Sequence, residues 1–307
     1  MSGHALVIGE ALIDVVRRPD GSESAHVGGS PANVALGLGR LGKTVELLTW
    51  IALDEYGRMI REHLEASGVT LVRGSESAIH TPVATALLDE SGVAHYDFDL
   101  AWGVSPGAAP TRRPTVVHTG SIGAIMVPGG TEVRRLLERH RDTATITYDP
   151  NVRPALMGSP VTAGKQIERL VELADIIKVS EEDLNWLDPE SPPNTLARKW
   201  LTMGPSIVVV TRGGEGATAF VGDGRKIDVA APRVPVADTV GAGDSFMAGL
   251  IDGLWSQGYM GAENREMLPE VTTDVITYVM SRCVGIAAIT VSREGADPPT
   301  REELGEV

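Results

Sequence analysis

Short strand-like runs alternate with helical periodicities along almost the whole of this 307-residue chain, and no other feature restricts its fold as strongly. Residues 5–9, 45–50, 116–119, 145–149, 176–179 and 207–211 are rich in β-branched and apolar side chains. Most of them lack the in–out polar alternation of a half-solvated strand. They predict strands buried on both faces, as in a parallel sheet covered by helices. Helical spacing predicts helices over 30–41, 54–68, 130–140, 162–173, 181–187, 195–203, 243–257 and 273–289, and each of the later strands is expected to lead through a loop into a helix. Ser30 reads as an N-cap with Pro31 at the first helical position, and Asp54 as the cap of the next helix. The expectation is a three-layer α/β/α fold around a mostly parallel sheet, in one domain spanning residues 1–307.

Two stretches break the alternation. Residues 12–27 and 81–98 contain short strand-like runs with turn signals at Asp20-Gly21 and Ser91-Gly92, and predict a small β appendage, or an ordinary edge hairpin, on the main sheet.

Apolar residues make up 42% and charged residues 22% of the chain, as in ordinary globular domains. The net charge of −14 argues against nucleic acid as a partner, since that would call for a basic face. A single local anion site is compatible with it. Cys283 is the only cysteine, so no intramolecular disulfide can form; it reads as a packing residue. No run reaches the ~20 apolar residues of a membrane span, and the first residues show no basic leader with an apolar core and cleavage site. A cytoplasmic protein is expected.

Two well-known nucleotide patterns occur in the wrong place. The stretch from Gly37 to Thr44 satisfies G-x-x-x-x-G-K-[ST], and Gly37 to Gly42 satisfies G-x-G-x-x-G. Both motifs need a strand before the glycines and a helix after them, so that backbone amides converge on phosphate. Here the glycines end a helix and Lys43-Thr44 lead into a strand. Close helix packing, with Gly42 as the C-cap, is the simpler reading.

Residues 238–251 have the correct order. Gly241-Ala242-Gly243 precede Asp244, which opens an apolar segment with Phe246, Met247, Leu250 and Ile251 at helical spacing. Small residues at a helix start leave N–H groups uncovered for an anion. A carboxylate beside an anion hole suits phosphoryl transfer to an alcohol: Asp244 would accept the hydroxyl proton, and the amides of Gly241, Ala242 and Gly243 would hold the developing charge. The alternative is a tight turn whose Asp244 merely favours the helix dipole.

This segment resembles the second signature of the ribokinase-like PfkB carbohydrate kinases. Gly28-Gly29-Ser30-Pro31-Ala32-Asn33, continuing through Gly39 and Gly42, resembles the first. Together with Asp149-Pro150-Asn151-Val152-Arg153-Pro154 it looks like the fructokinase branch, and the resemblance covers nearly the whole chain. It implies an ATP- and Mg²⁺-dependent sugar kinase, most similar to those making fructose 6-phosphate. Its rivals are a 2-keto-3-deoxygluconate kinase, which shares a similar Asp-x-Asn-x-Arg, and a non-catalytic sugar-binding protein. The residues that the resemblance places on the sugar are Asp14, Gly28, Gly29, Asn33 and Arg153. On the nucleotide side it places Ser180 and Asp183, where the family has Asn-x-x-Glu, and the turn Thr211, Gly213 and Gly216. Ser180 and Asp183 also read as a capping box. Asp238 with Thr290, Arg293 and Gly295 resembles a segment that holds K⁺ in relatives. The resemblance also makes the strands within 12–27 and 81–104 a lid, with Phe98 and Trp102 among its pocket-lining candidates, and implies a homodimer.

Overall fold

The computed structural model describes residues 3–89 and 93–305, so the predicted Ser91-Gly92 turn lies outside the described residues. Thirteen strands are present among them: β1 (His4–Ile8), β2 (Leu12–Arg17), β3 (Glu23–Gly28), β4 (Thr44–Leu48), β5 (Val69–Leu71), β6 (Val83–Leu88), β7 (Ala94–Asp99), β8 (Val116–Gly120), β9 (Thr145–Asp149), β10 (Ile176–Ser180), β11 (Ile207–Thr211), β12 (Ala217–Val221) and β13 (Lys226–Val229). Nine form one sheet in the order β13-β12-β11-β10-β9-β8-β1-β4-β5. From β5 to β11 every pairing is parallel; β12 is antiparallel to both of its neighbours.

The two-sided burial inferred from composition is visible residue by residue. Ala5 and Val7 of β1 enter one core with Val45, Leu47, Val209 and the helices Ser30–Arg40, Ala242–Ser256 and Thr273–Val291. Leu6 and Ile8 enter the other with Val117, Tyr148, Val208 and the helices Gly129–His140, Pro160–Val171 and Pro193–Leu201. The period of two in each strand assigns alternate side chains to opposite helix layers. The helix Thr273–Val291 is long and apolar enough by composition to cross a membrane. Its Ile276, Val279, Met280 and Cys283 are instead buried in the first core, and Arg282 pairs with Asp252 at 2.8 Å.

Three local readings need correction. Gly29, with φ 103°, is the N-cap of Ser30–Arg40; Ser30 is the first helical residue, and its hydroxyl goes elsewhere. That helix ends with Leu41 as C-cap, and Gly42 (φ 76°) follows it. The amides of Gly42 and Lys43 return to the carbonyls of Gly39 (2.8 Å) and Leu38 (3.0 Å), which is a Schellman closure. Third, β11 leads into the antiparallel β12 through a short 3₁₀ turn at Gly213–Glu215, and no helix intervenes. The expected close packing of the early glycines is present: a Cβ on Gly37 would stand 2.8 Å from that of Ala248. Lys43 is tied 2.9 Å from Asp252 and lies 5.1 Å over the Trp255 ring, so the apparent P-loop lysine is a core-edge cation.

The remaining four strands form a second sheet in the order β3-β2-β6-β7, two hairpins joined by the parallel pair β2–β6. Ile13 and Val15 pin one face of β2 to the first core. The register sets His26, Asp14, Ala84 and Phe98 in one row across the opposite face.

Candidate active site

The sheet order reverses at β1: the chain first builds outward through β4 and β5, then returns to place β8 on the other side of β1. Crevices form at the carboxyl ends of strands where such a reversal occurs. That edge carries two non-glycine residues in left-handed backbone conformation, Ser121 (φ 53°) after β8 and Asn151 (φ 38°) after β9. Such conformations cost about 1–3 kcal/mol and persist where the surroundings enforce them, typically at functional sites.

Asp244 is the hub. The helix Ala242–Ser256 starts after Gly241, whose φ of 75° suits glycine, and has no side-chain cap hydrogen bond. A Cβ on Gly241 would also stand 2.6 Å from that of Ala296. Residues 241–243 remain half-buried while Asp244 is buried behind them. Its carboxylate accepts the Ser30 hydroxyl at Oδ1 (2.7 Å) and the Asn33 amide at Oδ2 (2.8 Å), both from the helix Ser30–Arg40. Asn151 approaches Oδ1 from the end of β9 at 3.5 Å. A carboxylate has about four acceptor positions, so lone pairs remain for a substrate hydroxyl. Sequence reasoning missed Ser30 in this role because Ser-Pro before an apolar helix reads as a cap.

The residues expected on the sugar side gather around the same edge. Gly28 lies so close to Asp14 that a Cβ there would stand 2.1 Å from Oδ2. Crowding by protein raises the Asp14 carboxyl above its ordinary value, against the attraction of Arg153 and His26. Arg153 is exposed, and its guanidinium donates to Asn151 Oδ1 at 2.7 Å. Asn33 has its amide committed to Asp244, an assignment its sequence position did not reveal. Glu10, absent from the sequence-based candidates, follows β1 and accepts the Gly123 amide at 2.8 Å. Burial pushes its carboxyl up to about 7.

Farther along the edge, Ser180 and Asp183 form the anticipated capping box: the Ser180 hydroxyl accepts from the Asp183 amide at 3.0 Å, and Asp183 Oδ2 accepts from the Ser180 amide at 3.1 Å. Asp183 Oδ1 accepts the Val152 amide at 3.0 Å, which joins this helix to the loop after β9. Thr211 pairs in register with Ser180, and Gly213 and Gly216 shape the β11–β12 turn. Asp238 stands beside the turn of residues 241–243. It accepts the amides of Val240 (3.0 Å) and Gly295 (2.9 Å), which hold its carboxyl below the usual range. The amide of Ala237 reaches the Val291 carbonyl at 2.8 Å, so residues 237–241 and 290–296 form one unit. The Thr290 carbonyl accepts the Arg293 amide at 3.1 Å, and the Arg293 guanidinium is drawn away to Asp297 and Glu303. Trp102 is buried with its indole nitrogen against Gly129.

Comparison with known proteins agrees with this geometry. The pfkB family carbohydrate kinase pattern matches residues 3–301. A fructokinase of Rhizobium leguminosarum bv. trifolii is 34% identical over 81% of this chain and 79% of its own. Among solved structures, a fructokinase with bound ATP from Xylella fastidiosa superposes with a TM-score of 0.83 at 22% identity, covering 99% of this chain and 98% of its own. A cysteine double mutant of the Vibrio cholerae O395 fructokinase, in fructose, ADP and potassium ion bound form, gives 0.75 at 22% identity, covering 96% and 94%. With a glycine turn, a buried carboxylate at the next helix and a match along nearly its whole length, this chain belongs to the pfkB family of carbohydrate kinases.

Proposed function

We propose that this carbohydrate kinase transfers the γ-phosphoryl group of ATP to fructose, giving fructose 6-phosphate. The observation that carries the mechanism is Asp244, buried behind an open glycine turn and aimed by Ser30 and Asn33. Its carboxylate accepts the proton of the attacking hydroxyl, and the amides of residues 241–243 take up charge on the phosphoryl oxygens. The fructose assignment rests on the 34% identical relative. A neutral sugar also suits the cleft, because the Arg153 guanidinium is held by Asn151 Oδ1 at 2.7 Å and lies in the field of Asp14, which leaves little attraction for a sugar acid.

The second sheet acts as a lid. Its row of His26, Asp14, Ala84 and Phe98 offers a carboxylate for sugar hydroxyls and an aromatic face for the ring. Closure excludes water, the competing phosphoryl acceptor. Gly28 and Gly29 let the chain run close to the sugar. Ser180, Asp183, Thr211, Gly213 and Gly216 mark the nucleotide end of the same edge.

Mg²⁺ enters with ATP. Asp183 Oδ1, Asp183 Oδ2 and the Ser180 hydroxyl each already accept one backbone amide, which fixes these side chains at the nucleotide end and leaves each oxygen a lone pair for the water around Mg²⁺. Among the described residues no cluster of three or more carboxylate, imidazole or thiol groups suits a metal. A K⁺ site belongs to the same reading: the amides of Val240 and Gly295 hold the Asp238 carboxyl below its usual range, and Asp238 is tied through its own amide to the Val291 carbonyl of the 290–295 segment. A cation there supplies positive charge next to the anion-binding turn. A cytoplasmic homodimer completes the reading.

The test is coupled ADP release with fructose, ribose, glucose and 2-keto-3-deoxygluconate. Fructose is expected to give the highest kcat/KM, and Asp244→Asn to bind both substrates while losing about 10³-fold in kcat. Near-normal turnover by that variant would end the general-base assignment.

A further inference from the structure

Lys178 and Asp149 form an ion pair of 2.8 Å with side chains 4% and 0% exposed, directly under the catalytic turn. Buried pairs are weak stabilisers, because desolvating two charges offsets most of their attraction. Their position points to another role. The Lys178 ammonium lies against the start of the Asp244 helix: a Cβ on Gly243 would stand 2.8 Å from it. Asp149 works from the other side. Its Oδ2 holds Lys178, while Oδ1 accepts the Asn151 amide at 3.2 Å. Asn151 is the residue in left-handed conformation whose side chain meets Asp244 Oδ1. The pair therefore touches both the turn that precedes Asp244 and the loop that faces it.

Asp183, Asp244 and His118, from three further elements, surround the pair. Burial opposes the charge on Lys178, but Asp149, Asp183 and Asp244 outweigh it and keep the ammonium protonated. Burial pushes the Asp149 carboxyl up to about 6, with Lys178 restraining it and Asp183 and Asp244 adding repulsion. His118 of β8 is driven down to about 3 by burial and by Lys178, so it stays neutral. Three carboxylates thus converge here around one buried ammonium.

We propose that Asp149 and Lys178 are a positioning pair that fixes the Gly243 turn and Asn151 around Asp244, and so governs turnover and not ligand affinity. This rests on Asp244 being the base. Geometry errors of about 1 Å at a reacting centre cost on the order of 100-fold in rate. Removing Lys178 alone strands a buried carboxylate, so the informative variant is Asp149→Asn with Lys178→Met, which neutralises both partners. With fructose and ATP, this double variant is expected to keep its melting temperature within a few degrees and both KM values within about threefold, and to lose about 100-fold in kcat. Wild-type kcat in the folded double variant would overturn the proposal, since a purely structural pair would then be replaceable. Should the double variant fail to fold, Asp149→Asn alone decides. A loss of roughly tenfold in kcat at unchanged KM supports the proposal, and unchanged kcat overturns it. Lys178→Arg, which keeps the charge, is expected to stay within about tenfold of wild type; a loss as deep as the double variant's counts against a charged positioning role. Asp244→Asn, run in parallel, separates the two ideas: activity in that variant removes the base assignment whatever the pair variants do.

Discussion

Glu10 shows how one side chain can be held in an unusual state by the fold. It is buried at the sheet reversal, and its carboxyl rises to about 7 because burial outweighs hydrogen bonds from Ser121 and Gly123 and the attraction of Arg153. Between its ordinary 4.5 and its folded value, the native protein binds more protons than the unfolded chain. Its favourable contribution is therefore complete below about pH 4.5 and is lost as pH rises through about 7. Glu10→Gln keeps an acceptor for Gly123 and removes the titration. Denaturant unfolding should show its stability relative to wild type improving by ~2 kcal/mol between about pH 5.5 and about pH 8. A pH-independent difference would show that Glu10 is not held protonated. Nothing in the sequence singled out Glu10, because a carboxylate after a first strand is equally at home in a solvated turn.

At the scale of elements, the helix Ser30–Arg40 has two jobs that its sequence blends together. Its first turn delivers Ser30 and Asn33 to Asp244, and its end closes with Gly42 and delivers Lys43 to Asp252. The glycine and lysine pattern at that end matches a P-loop only as a string of letters. Element order excluded that reading in the sequence, and the structure supplies the lysine's actual partner. Lys43→Met should leave KM for ATP unchanged and lower stability by about 1–3 kcal/mol, measured by thermal melts. The loss is bounded because Asp252 keeps Arg282 at 2.8 Å and Arg301 at 2.7 Å. A selective rise in KM for ATP would revive the phosphate reading. The strands were the most legible elements: 145–149 and 207–211 were read to the residue. The fate of β11 was not legible, since a helix or a hairpin can follow the same valine-rich run.

For the whole molecule, the second sheet is the element that bears on assembly. Tyr96 stacks on Phe98 at 5.9 Å, with planes 6° apart, and continues the apolar face beyond the row that holds Asp14. Tyr96 remains 65% exposed. Faces of this kind are commonly covered by a partner. Sedimentation should therefore return twice the mass of the chain, and Tyr96→Asp should shift the protein towards the monomer; a monomeric wild type would remove the dimer from the reading.

The sequence by itself determined the strand–helix alternation, the two-sided burial of the parallel strands and the glycine turn before Asp244. Each depends on residues adjacent in the chain: side-chain period, β-branching, and the backbone freedom of Gly241. Tertiary structure alone decided what surrounds that turn. Ser30 lies 214 residues from Asp244 and Asn33 lies 211 away, while Lys178 and Asp149 meet across neighbouring strands. Such contacts depend on sheet order and on the register of packed layers, and no local propensity encodes either. That is why the motif identified the reaction, while the groups that aim and charge its carboxylate became visible only once the strands were set side by side.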